Sequence, residues 1–147
     1  MTNKFRHVGI VVSDVNTHSK FLTEVLGFTI VSDQIEKGPF ISEMLQIDSA
    51  EVHTIKFKGI SDGIIELLEF QNPKEIDNRN EIIQPNSFGI THVAVTVQSA
   101  LETYQLSLEK GFFPFSKPLI SPKNEVNVFY LRGPDQVLYE IVEERQN

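Results

Sequence analysis

The sequence predicts an α+β fold made of two β-α-β-β-β modules, and three observations predict it. Residues 7–28, HVGIVVSDVNTHSKFLTEVLGF, return with one single-residue gap as residues 92–112, HVAVTVQSALETYQLSLEKGF. Residues 53–70, HTIKFKGISDGIIELLEF, return without a gap as residues 127–144, NVFYLRGPDQVLYEIVEE. In both copies a glutamate stands seven residues after a turn glycine, Glu66 after Gly59 and Glu140 after Gly133.

Each element follows from local pattern. Residues 5–12 and 90–97 are β-rich runs bounded by polar residues and read as strands. Ser13-Asp14 and Gln98-Ser99 then supply polar helix starts. The first helix is expected over about 15–26, burying Phe21, Leu22, Val25 and Leu26. The second is expected over about 99–110, with Leu101, Tyr104 and Leu108 at helical spacing. Gly27 and Gly111 fall just past these helices, where a left-handed cap favours glycine. Strands are expected at 28–33, 51–58 and 64–70, and again at 112–117, 125–132 and 137–143. Gly59–Gly63 and Gly133–Gln136 read as hairpin connections. The whole chain, 1–147, reads as one domain: module 4–70, a polar linker at 71–88, and module 89–145. The halves differ at 34–50, an insertion in the first copy whose 40–47 stretch is expected to form a short helix.

Strand phase decides where the repeated polar residues point. Val8, Ile10 and Val12 share a branched face suited to packing on a helix, and His7 lies on the other face with Gly9 and Val11. His92 lies with Ala94 and Thr96, opposite Val93, Val95 and Val97. Ile65 and Leu67 flank Glu66, and Tyr139 and Ile141 flank Glu140, which sends both carboxylates to the histidine side. An ionised carboxylate in an apolar strand is costly unless paired or bound to a cation. His7, Glu66, His92 and Glu140 are therefore the candidate ligands of a divalent metal. Nitrogen and oxygen donors without sulfur suit Zn, Ni, Co, Mn or Fe.

Composition narrows the alternatives. Forty per cent of residues are hydrophobic and 22% charged, with 11 Phe and 3 Tyr, ordinary for a chain that buries a core. The net charge of −7 and the lack of a basic run argue against a nucleic-acid partner. The absence of cysteine excludes disulfides, thiolate ligands and Cys nucleophiles. No apolar run is long enough for a membrane span or signal core, so a cytoplasmic location is expected. There is no phosphate-cradling Gly-rich loop and no Ser nucleophile with a nearby base.

Taken together, His7-Val8-Gly9-Ile10, Val25-Leu26-Gly27-Phe28, Ile65-Glu66-Leu67-Leu68-Glu69, Thr91-His92-Val93-Ala94 and Gly133-Pro134-Asp135 leading into Tyr139-Glu140-Ile141 resemble the vicinal oxygen chelate superfamily. That group includes glyoxalase I, methylmalonyl-CoA epimerase, fosfomycin-resistance proteins and extradiol dioxygenases. The resemblance implies paired modules curled into an incomplete barrel around a metal, and a homodimer. It also implies ligands in the glyoxalase I order, matched here by His7, Glu66, His92 and Glu140. Glyoxalase I is thus the nearest member by ligand pattern.

The expected activity is that of a lyase or isomerase moving a proton next to a carbonyl through a metal-bound enediolate. By the same resemblance the base is Glu140, then Glu66. If both glutamates stay bound another base is needed, and Glu51 and His53, on a neighbouring strand of the first half, are further candidates. The expected substrate is a small molecule with adjacent oxygens, such as a glutathione or CoA thioester. Other readings are an epimerase like that for methylmalonyl-CoA, an extradiol dioxygenase, and a metal-free binding or resistance protein. Arg6, Arg79 and Arg132 are candidates for holding substrate carboxylates. Glu43 can face the site from the insertion. His18 is expected in solvent, and Glu69 and Glu143 on the helix side, near strand ends and water.

Overall fold

The structure, a computed structural model, describes residues 5–60, 63–74, 76, 82–90 and 92–145. It consists of two compact units divided between residues 78 and 79. No helix among the described residues is long and apolar enough to cross a membrane.

The first unit contains β1 (Val8–Val11), α1 (Val15–Lys20), β2 (Thr29–Lys37), α2 (Pro39–Leu45), β3 (Glu51–Lys58) and β4 (Ile64–Asn72). Its sheet runs β1-β4-β3-β2, with β1 parallel to β4 and the other pairs antiparallel. Helix α1 continues without a break into a π-helical turn, Phe21–Val25, closed by Leu26 donating its N–H to the Phe21 carbonyl. Val15, Phe21, Leu22, Val25 and Leu26 from this helical stretch are buried, as are Ile55, Phe57, Ile65 and Leu67 on the helix side of the sheet.

The second unit repeats the plan: β5 (His92–Thr96), α3 (Ala100–Glu109), β6 (Phe113–Pro114), β7 (Leu119–Ile120), β8 (Val126–Arg132) and β9 (Leu138–Glu144). Its sheet runs β5-β9-β8-β6, and β7 also pairs with β8. The chain is thus α+β, with two β-α-β-β-β modules. Gly27 and Gly111 follow the two long helical stretches at φ of 72° and 80°, the left-handed conformation that lacks a steric penalty only in glycine.

Several boundaries differ from the sequence expectation. Strand β2 runs four residues past 33, pairing Gln34, Ile35, Glu36 and Lys37 with β3, so the inserted segment is partly a longer hairpin. A register shift between Ile30 and Ser32 breaks the alternation there. The short helix is present one residue earlier than expected. The strand expected at 112–117 is reduced to β6, Phe113–Pro114, and a second short strand, β7, follows after Phe115–Pro118. The start of the linker, Gln71 and Asn72, belongs to β4. Ser61 and Asp62 of the first hairpin turn and much of the rest of the linker lie outside the described residues. Leu101 and Leu108 are exposed, while Ala100, Thr103 and Ser107, also at helical spacing, are the buried residues of α3.

One duplicated pair has a structural role. Glu69 accepts a hydrogen bond from the Val15 N–H at 2.9 Å, and Glu143 accepts one from the Ala100 N–H at 2.7 Å. Each carboxylate reaches from the last strand of its module to the first turn of its helix, where N–H groups lack intrahelical partners and negative charge is favoured. Asn127 donates to the other oxygen of Glu143 at 3.0 Å. Glu143→Ala is expected to cost about 1 kcal/mol in urea denaturation. The exposed neighbour Glu144→Ala is expected to change stability by less than about 0.5 kcal/mol. Equal effects from the two would contradict the capping role.

Candidate metal centre

In the first unit, β1 lies parallel to β4 with Gly9 opposite Glu66. His7, just before β1, brings its Nε2 to 3.0 Å from Glu66 Oε2. On the other side, β3 places Lys56 opposite Glu66, and its Nζ lies 3.4 Å from Oε1. Both carboxylate oxygens are thus engaged, and the Glu66 side chain is only 12% exposed. Gly9 leaves the space beside them clear: a Cβ there would stand 3.3 Å from Leu68 Cδ1 and 3.9 Å from Glu66 Oε2.

The second unit repeats this geometry with different chemistry. Ala94 pairs with Glu140, and His92 Nε2 lies 3.3 Å from Glu140 Oε2. The position opposite Glu140 on β8 holds Tyr130 in place of a lysine. Burial, and then the charge of Glu140, push the Tyr130 phenol above its ordinary value, so it stays protonated at neutral pH. Its ring meets the His92 imidazole edge-on, with centroids 5.2 Å apart. Lys56 and Tyr130 were not among the sequence candidates. The available signal was positional: both stand ten residues before their glutamate in the ungapped repeat. Their different chemistry hid the correspondence.

The donor set fits a divalent ion. Two donors about 2.1 Å from one ion and at right angles to it stand about 3.0 Å apart, close to both His–Glu distances. Each histidine would contribute an imidazole nitrogen and each glutamate a carboxylate oxygen. Among the described residues, no group of three or more His, Asp or Glu side chains is close enough to hold an ion, so each unit presents a pair.

The remaining candidates lie elsewhere. His53 pairs in register with Glu69, on the helix side of β3, and its Nε2 is 2.6 Å from Asp33 Oδ1. That strand phase removes it from the Glu66 face. Glu51 lines a shallow cleft with Lys37, Pro39 and Ser42. His18 is buried rather than solvated, because it continues the inward stripe of Val15 and Leu22. Glu43 and Arg6 are exposed. Arg132 lies over the Phe115 ring, and Arg79 lies outside the described residues.

Comparison with known proteins agrees with this architecture. The sequence model of the Glyoxalase/Bleomycin resistance protein/Dioxygenase superfamily matches residues 4–141. A glyoxalase family protein from Bacillus cereus superposes with a TM-score of 0.90 at 20% identity, over 99% of this chain and 97% of that one. An antibiotic-binding protein from a Streptomyces species superposes at 0.65 with 12% identity, over 98% of each chain. The trypanothione-dependent glyoxalase I of Leishmania major superposes at 0.64 with 15% identity, over 97% of this chain and 88% of that one. No curated protein matches the sequence.

Proposed function

This chain belongs to the Glyoxalase/Bleomycin resistance protein/Dioxygenase superfamily, and from that premise we propose that it is a metal-dependent lyase or isomerase of glyoxalase I type. His7, Glu66, His92 and Glu140 would hold the ion. When bound, the metal supplies Lewis-acid polarisation of the substrate's oxygens.

The inequality of the two glutamates carries the assignment of roles. Glu66 has His7 at one oxygen and the Lys56 ammonium at the other. Both of its oxygens therefore already have a partner. Glu140 has His92 at one oxygen, the neutral Tyr130 in the lysine's place, and a side chain 29% exposed. Glu140 therefore accepts the proton from the carbon next to the carbonyl and returns it to a neighbouring atom. Substrate and product are isomers, so the step needs no oxidant or second reactant. Glu66 serves as a fixed ligand.

The substrates that fit are small molecules with adjacent oxygens, and glutathione or CoA thioesters are the first to try. A homodimer is the assembly proposed. The test is solvent deuterium incorporation by the metal-loaded protein, with the hemithioacetal of methylglyoxal and glutathione and then with racemic CoA thioesters. Deuterium at the carbon next to the carbonyl is the expected result, and no exchange with any of them would overturn the reading.

A second reading is a metal-free binding protein on the same fold. The fold shared with an antibiotic-binding protein favours it. Retained small-molecule binding after chelation, with no deuterium exchange, would support this alternative.

A further inference from the structure

The sheet face that carries Glu140 is lined with rings. Phe115 donates its N–H to the Tyr130 carbonyl at 2.8 Å, and the two rings lie 6.2 Å apart, tilted by 32°. The Arg132 guanidinium sits 5.1 Å from the centre of the Phe115 ring. It is held there by donating to the Ile83 and Gln136 carbonyls at 3.1 and 3.3 Å. Since Tyr130 also meets His92 edge-on, the series Arg132, Phe115, Tyr130, His92 leads without a gap to the candidate metal ligand.

Register extends this surface. Phe113 pairs with Arg132 and Leu119 pairs with Val128, which places both on the Tyr130 face. Phe113, Phe115 and Leu119 are 75%, 46% and 60% exposed. At the equivalent positions the first unit is polar: Thr29 pairs with Lys58, Ser32 with Lys56 and Gln34 with Thr54. The apolar character therefore did not come with the duplicated scaffold. Exposed rings held in fixed orientation gain most when a flat apolar group covers them, and the guanidinium adds a planar cation to the same shelf.

We propose that the Phe115–Tyr130–Arg132 shelf holds a flat aromatic part of the substrate, so that the substrate class is aryl compounds bearing two adjacent oxygens. The inference rests on the reading of His92 and Glu140 as metal ligands.

The test compares benzoylformate with pyruvate, which share adjacent keto and carboxylate oxygens and differ in carrying a ring or a methyl group. Calorimetric titration of the full-length, zinc-loaded protein is expected to show benzoylformate binding about tenfold more tightly. Phe115→Ala is expected to bring the two within about twofold, and Phe115→Tyr to keep the preference. Equal affinities in the unaltered protein, or a preference that survives Phe115→Ala, would overturn the shelf. If both ligands bind equally and both are lost on chelation, the metal reading stands and the shelf alone fails. Binding of neither would overturn both. Dimer dissociation in Phe115→Ala, seen by sedimentation without a change in ligand preference, would make this face a contact between copies and also overturn the proposal.

Discussion

Glu140→Gln is expected to reduce the deuterium-exchange rate by about 10²- to 10⁴-fold, the range supplied by a positioned general base. The amide keeps an oxygen donor at the same place but cannot accept the proton at neutral pH. The loss should therefore appear in kcat far more than in metal content. Glu66→Gln removes the anion held between His7 and Lys56, so its larger effect should be on metal affinity, with a smaller one on the rate of the loaded protein. Measuring kcat and metal content for both variants separates the roles. A larger rate loss in Glu66→Gln than in Glu140→Gln would reverse the assignment.

His7→Ala is expected to weaken metal binding by at least about hundredfold, since loss of a supporting group around a metal already costs up to that much. The control is His53→Ala, in the same unit but on the helix side and paired with Asp33. Its metal affinity should be unchanged. Competitive titration against a chromogenic chelator measures both. Equal losses would mean that the His7 effect is structural, while no loss from His7→Ala would remove it from the ligand set.

The two modules were legible because duplication repeated residue patterns as well as residue types. Strand phase also placed His7 beside Glu66 and His92 beside Glu140. Periodicity without packing was less informative. In α3, Leu101, Tyr104 and Leu108 and the set Ala100, Thr103 and Ser107 have the same spacing. Hydrophobicity favours the first set, but the small residues are the ones buried. In α1, polarity suggested that His18 was solvated although its spacing from Val15 and Leu22 turns it inward. Gln34–Lys37 has no counterpart in the second copy and so falls in the insertion by sequence, yet it continues β2 in register with β3. Lys56 and Tyr130 become informative only through cross-strand register, which joins positions ten residues apart along the chain.

The central claim is that the duplicated His–Glu pairs serve one metal. Its direct test is the number of divalent ions bound per chain, by elemental analysis after reconstitution and gel filtration. The account predicts one ion per chain in the unaltered protein and its loss in His7→Ala and in His92→Ala alike. No bound ion would contradict the account, as would two per chain, one for each pair, with each variant losing only its own.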